Sequence, residues 1–217
     1  MFKDTKTIIF DWDGTIHESM AIYYDAFNEA YNYLVSKGLA EKRVFSEYEV
    51  SQFLGVNPKD MWTSVLPVLT DSIFAEASQM VSNAMTKAIE ANKARLYPHA
   101  IETLEYLKNK GYTLVYLSNS KNYYMDKMRN AFDLDRYFDH YYVSEMYNYI
   151  PKKNILEAVK NQLNAPMVMI GDRYLDIETG VYNKIKTIGC SYGYGSLDEL
   201  KEADLIISNL TELKSLF

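Results

Sequence analysis

A single cysteine, Cys190, leaves this chain of 217 residues without an internal partner for a disulfide. That excludes the cross-linked scaffold of small secreted domains. The first residues hold no basic segment followed by a long apolar one, so a cytoplasmic setting is the expectation. No apolar run in the chain approaches the roughly 20 residues that a membrane span requires. Positive charge is also in short supply: 23 lysines and arginines stand against 29 aspartates and glutamates, a net charge of −6. Binding nucleic-acid phosphates or an anionic membrane needs clustered lysine and arginine, so neither partner is expected. There is no low-complexity linker and no internal repeat.

What is present is the composition of a folded protein. Hydrophobic residues make up 48% and aromatic residues 14%, unlike the charged, apolar-poor mix of disordered chains. The length suits one large α/β domain or a domain with an insertion. Twenty tyrosines are scattered along the chain and read as core and surface filler.

Short apolar runs alternate with helical patterns, the arrangement of a parallel sheet with crossover helices. The expected strands are Thr7 to Phe10, Thr113 to Leu117, Tyr141 to Val143, Met167 to Ile170, Thr187 to Gly189 and Leu205 to Ile207. Helices are expected at Ala100 to Lys110, ending at Gly111, at Lys152 to Gln162, and at Leu197 to Ala203. Between the first and second strands the pattern is helical throughout. Tyr23, Phe27, Ala30, Tyr31 and Leu34 fall on one helix face that Gly38 can stop. Ser46 and Glu49 fit a capping box. Asn57 and Pro58 fit an N-cap and first helical position, ahead of Met61, Trp62, Val65, Leu66 and Leu69. Phe74 to Ala91 is a longer helix with Ala77, Val81, Ala84, Met85 and Ala88 on one side. The expected organisation is an α/β core of residues 1–16 and 96–217, a Rossmann-like parallel sheet, with an all-helical insertion at 17–95.

Three strands end on polar groups. "TIIFDWDGTI" runs into Asp11 and Asp13, "LVYLSN" into Ser118 and Asn119, and "MVMIGD" into Asp172. The carboxyl edge of an open parallel sheet is where ligands bind, so these groups converge. Several close carboxylates repel one another unless a cation sits among them, and hard oxygen donors favour magnesium. Magnesium dehydrates reluctantly and commonly binds through carboxylates plus a substrate phosphate, which points to a phosphorylated substrate.

Asp11-Trp12-Asp13-Gly14-Thr15 after a strand, Ser118 ending the next, and Gly171-Asp172 with Asp176 four residues on resemble the motifs of the haloacid dehalogenase-like hydrolases. Their order and separation match across nearly the whole chain. The helical insertion, Pro98 and the "GYGS" stretch at Gly193 to Ser196 resemble the branch of phosphoglycolate phosphatases and β-phosphoglucomutases. The resemblance implies that Asp11 attacks phosphorus to form an aspartyl-phosphate, and that Asp13 acts as acid and base. It also implies that Asp11, the main-chain carbonyl of Asp13, and Asp172 hold Mg2+, with Asp176 supporting. Gly14 would allow the sharp turn, while Thr15, Ser118 and Asn119 would donate to the transferring phosphoryl group. A helical cap would close over the site, excluding water and choosing the substrate.

The third motif departs from the family. Where phosphoglycolate phosphatases carry Lys-Pro-x-Pro, this chain reads "YNYIPKKNIL", and aligning Pro151 puts Ile150 in the lysine's place. Other members carry a lysine three residues before the first apolar residue of the helix; Lys152 stands three before Ile155, with Lys153 in reserve. His17 is read either as substrate-facing or as a hinge or surface residue, His99 and His140 as structural, and Lys59, in a loop from Gly55 to Asp60, as a candidate contact for an anionic substrate.

The expected function is a magnesium-dependent phosphatase acting on a small phosphorylated metabolite, as a monomer or homodimer. A phosphomutase is the alternative, distinguished by a bisphosphorylated intermediate. A dehalogenase would lack the second acid that Asp13 supplies. A signalling receiver carries its phosphoacceptor on the third strand of a shorter chain, and a non-catalytic binding protein requires that Lys152 be misplaced.

Overall fold

In the computed structural model of the protein, residues 2–56, 58–66 and 70–217 are described. Asn57 and Leu69 of the sequence-read helix pattern lie outside them. The chain divides into two compact units, Met1–Glu18 with Leu96–Phe217, and Ser19–Arg95.

The first unit is built on six parallel strands: β1 (Thr7–Phe10), β2 (Thr113–Ser118), β3 (His140–Val143), β4 (Met167–Gly171), β5 (Lys186–Cys190) and β6 (Leu205–Ile207). They lie in the order β3-β2-β1-β4-β5-β6. Strand order reverses between β1 and β4, and a crevice at that switch point is where such sheets bind ligands. The central strands are apolar along their length because both faces are covered. Ile9, Val115, Leu117 and Met169 pack against Ile155, Leu156 and Val159 on one face. On the other, Phe10 and Tyr116 meet Phe138 edge-on. Pairing of Phe10 with both Tyr116 and Ile170 aligns the carboxyl ends of β1, β2 and β4.

The second unit contains α1 (Met20–Ser36), α2 (Glu47–Ser51), α3 (Pro58–Val65) and α4 (Asp71–Glu90). The α1 stripe is buried as its spacing requires, from Ile22 and Tyr23 to Leu34. Gly38, at φ +68°, ends the helix: its amide bonds Val35, and the amide of Leu39 bonds Leu34. Phe27 is the hub of an aromatic core, with Phe45, Phe53 and Trp62 at centroid distances of 5.0, 5.2 and 5.7 Å. The Ser46–Glu49 capping box is formed. The long helix starts three residues before the expected Phe74, at Asp71. Pro58 opens α3, so the expected loop ends before Lys59.

The sheet unit carries α5 (Ala100–Asn109), α6 (Asn122–Phe132), α7 (Lys152–Val159), α8 (Tyr174–Asn183) and α9 (Leu213–Leu216). The expected helix at Lys152 to Gln162 ends in a 3₁₀ turn over Lys160–Gln162. The expected helix at Leu197 to Ala203 does not form. That stretch closes as successive i→i+3 turns, with Glu199 bonded back to Ser196 and drawn to Arg173 at 2.9 Å. Among the described residues no helix is long and apolar enough to cross a membrane.

Candidate active site

β1 delivers Asp11 to the edge of the sheet, where its amide bonds the Ile170 carbonyl of β4 at 2.9 Å. The chain then turns tightly, with the amides of Thr15, Ile16 and His17 all directed to the carbonyl of Trp12 at 2.9 to 3.3 Å. Gly14 sits at φ +89°, where a side chain is strained, and a Cβ there would lie 2.3 Å from an Asp172 carboxylate oxygen. The glycine thus lets the first turn close against the end of β4.

Four charged side chains meet at this edge. Asp11, Asp172 and Asp176 each offer a carboxylate oxygen within 4.8 Å of the others. Lys152, on the first turn of α7, places Nζ 2.6 Å from Asp11 Oδ1 and 2.6 Å from Asp176 Oδ1. All four are buried. Asp172 is anchored by the Tyr194 amide at 2.7 Å and the Thr15 hydroxyl at 3.3 Å, and Asp176 by the Arg173 amide at 3.0 Å. The "GYGS" stretch explains itself here, since a Cβ on Gly193 would stand 2.3 Å from Asp172 Cβ.

Charge is the weak point of this arrangement. Three ionised carboxylates against one ammonium leave an excess of two negative charges, −3 plus +1. Burial pushes the Asp11 carboxyl well above its ordinary range, with Asp176 adding to the effect and Lys152 opposing it. Asp172 is pushed up to about 7, again chiefly by burial and then by Asp176. Burial alone would lower the Lys152 ammonium, but Asp11 and Asp176 outweigh it and hold it up. A divalent cation would cancel the excess, and carboxylate oxygens are the donors that hard cations take. The residues present therefore fit a divalent metal.

Asp13 points elsewhere. Its Oδ1 accepts from the Tyr124 hydroxyl at 2.6 Å and lies 3.1 Å from His17 Nδ1. Of the metal-holding residues expected from the sequence, the cluster thus gathers the side chains of Asp11, Asp172 and Asp176, while the Asp13 carboxylate is turned to its own partners. Ser118 is buried at the end of β2, with Asn119 next along the same edge. The Thr15 hydroxyl is directed to Asp172. Lys153 turns outward to Glu178 at 2.7 Å, so of the two lysines it is Lys152 that reaches Asp11. Lys59 is exposed in the first turn of α3 in the helical unit. His99 pairs with Glu102 and His140 stacks on Tyr142, neither near the carboxylates in any bond described. Tyr124 was not singled out by sequence reasoning. The only signal for it is its place shortly after Asn119, on the helix that follows β2.

A family model described as haloacid dehalogenase-like hydrolase matches residues 8–190. The phosphoglycolate phosphatase of Escherichia coli (strain K12) is 24% identical over 232 residues, covering 98% of this chain and 92% of that protein. The enzyme of the same name from Aliivibrio fischeri is 24% identical over 215 residues, covering 94% and 91%. Among solved structures, a predicted phosphatase from Clostridium acetobutylicum aligns with TM-score 0.82 at 22% identity, covering 97% of each chain. CbbY from Rhodobacter sphaeroides, in complex with phosphate, aligns with TM-score 0.79 at 18% identity, covering 96% of each. At these identities the structural likenesses speak to the fold.

Proposed function

The chain belongs to the haloacid dehalogenase-like hydrolases, as an enzyme of the phosphatase kind, and we propose that it cleaves a small phosphomonoester through an aspartyl-phosphate on Asp11. The observation that carries this reading is Lys152, buried and bonded at 2.6 Å to both Asp11 and Asp176. A buried lysine between two carboxylates has little structural advantage over apolar packing, because desolvation of the charges offsets their attraction. It is well suited to hold a nucleophilic carboxylate ionised and to neutralise an incoming phosphate.

In the first step a carboxylate oxygen of Asp11 forms a bond to phosphorus as the ester P–O bond breaks, and Asp13 gives its proton to the departing alkoxide. In the second, water attacks the phosphorus of the aspartyl-phosphate, Asp13 takes the water proton, and phosphate leaves with Asp11 restored. Ser118 and Asn119 are the donors of this reading to the phosphoryl oxygens, and Thr15, expected as a third, has its hydroxyl directed to Asp172 and orients that carboxylate instead. Magnesium, held by Asp11, Asp172, Asp176 and the main-chain carbonyl of Asp13, would offset the phosphoryl charge when bound. The names of the relatives support phosphoglycolate as one substrate to try, while Ile150 in place of the family's lysine weighs against assigning it alone.

The test is hydrolysis of para-nitrophenyl phosphate by purified protein with magnesium and after chelation, followed by sugar, glycolyl and nucleotide phosphates. Magnesium-dependent release that chelation abolishes is the expected result. Release from none of these esters would refute the reading.

A further inference from the structure

Asp13 and two of its partners, Tyr124 and His17, form a closed triangle. Tyr124 Oη lies 2.6 Å from Asp13 Oδ1 and 3.0 Å from His17 Nδ1, and His17 Nδ1 lies 3.1 Å from the same Asp13 oxygen. Three polar atoms within hydrogen-bond distance of one another are over-determined, since two contacts would suffice to orient a carboxylate. With the proton of the imidazole on Nδ1, two donors converge on Oδ1.

Neither donor is loosely held. His17 is fully buried, its ring stacked on Trp12 at 5.8 Å and 13° and flanked by Phe132 at 6.4 Å. Its main chain is pinned as well, by its amide to Trp12 and by its carbonyl, which accepts from Gly14 at 2.9 Å. Tyr124 stands in the first turn of α6, whose Met125 and Met128 are buried in the core. Asp13 therefore lies between one partner fixed to the turn that carries the nucleophile and another fixed to a separate helix.

We propose that His17 and Tyr124 are positioning residues that hold the Asp13 carboxyl by Oδ1, away from the Asp11–Asp172–Asp176 cluster, so that its other oxygen exchanges the proton with the leaving group and the attacking water. The inference rests on the phosphatase reading above and adds to it two residues that act through Asp13. Without them, Asp13 is a short flexible acid two residues from Asp11 and, when a metal ion is bound, would be free to swing toward that ion. The clamp keeps the acid and base duty apart from the charge cluster.

A misplaced general acid is felt in proportion to how badly the leaving group needs a proton. Nitrophenolate leaves readily without one and an alkoxide does not. The experiment compares Tyr124→Phe with wild type, at saturating magnesium, on para-nitrophenyl phosphate and on an alkyl phosphate such as glycerol phosphate. The expected result is a fall in kcat/KM, which reports the steps up to release of the alcohol and not the shared hydrolysis of the aspartyl-phosphate, of about tenfold to a hundredfold on the alkyl ester, with a fall of less than about threefold on the aryl ester. His17→Asn, which keeps an N–H donor, retains the wild-type ratio of the two esters, and His17→Leu loses it. Equal losses on both esters in Tyr124→Phe, or no loss on either, would overturn the clamp. Because Tyr124→Phe removes a single hydroxyl and keeps the ring, its circular dichroism is expected to match wild type. Wild-type protein that releases phosphate from neither ester would defeat the phosphatase reading and the clamp together, a result distinct from an active enzyme whose ester ratio does not move.

Discussion

The two units bury different things. Among the described residues, the buried polar side chains of the helical unit are Ser19 and Ser51, and its interior is the aromatic cluster around Phe27. The sheet unit has an equally apolar interior around β1, β2 and β4, yet it also buries Asp11, Lys152, Asp172 and Asp176 at one edge. Hydrophobic packing accounts for the first interior. It cannot account for the second, where buried like charges cost free energy unless a ligand offsets them. On the phosphatase reading, that cost is what places the chemistry in the sheet unit.

The comparison breaks most sharply at Asp11. Asp11→Asn is expected to lower turnover by at least about 10⁴-fold while the far-ultraviolet circular dichroism is unchanged, since the substitution keeps shape and removes the nucleophile. Lys152→Ala leaves the carboxylates without their cation, and should cost about 3–5 kcal/mol in denaturant unfolding of the metal-free protein. Magnesium should recover part of that loss.

Acidity sharpens the contrast next. The folded-state Asp172 carboxyl is raised to about 7 from an ordinary 3.8, and Asp11 is raised in the same direction. Between those values the folded state binds more protons than the unfolded one, so stability falls as pH rises. The metal-free protein should thus be more stable at about pH 5 than at about pH 7.5, by the order of a few kcal/mol. Saturating magnesium, which binds the ionised carboxylates, should add about 2.7 kcal/mol at a hundred times its Kd and flatten that slope. Urea titrations at the two pH values, with and without the metal, measure both effects.

The helical unit should behave otherwise. Phe27→Leu loosens its aromatic hub at a cost of about 1 kcal/mol, and the stabilisation that magnesium confers should be unchanged. The smallest effect belongs to Lys153→Ala, which removes a half-exposed pair with Glu178 and should leave turnover and melting temperature at wild-type values. A clear loss of turnover there would reopen the choice between the two adjacent lysines.

Much of this was legible in the chain. β1, β2 and β4 announce themselves because strands buried on both faces read as unbroken apolar runs, and each runs directly into the residues that meet at the edge. The stripe of α1, the Gly38 stop and the Ser46–Glu49 box were readable for local reasons, since each depends on neighbours within a turn or two. What depends on distant neighbours was not. Leu197 and Leu200 suggest a helix, but Leu200 is buried against Gly189 while Leu197 is exposed, and Glu199 is taken by Arg173 and the Tyr174 amide. Tyr124 was invisible among twenty tyrosines read as filler, because its bond to Asp13 spans 111 residues of chain. Lys152 and Lys153 are adjacent, and only the direction of the first turn of α7 separates a buried partner of Asp11 from a surface partner of Glu178.

The most direct test of the central claim is to quench the protein in acid during turnover of para-nitrophenyl phosphate with magnesium and to map the phosphoryl group by mass spectrometry. The account predicts an acyl phosphate on the peptide carrying Asp11, absent in Asp11→Asn. A phosphoryl group on any other residue, or sustained turnover by Asp11→Asn, would contradict it.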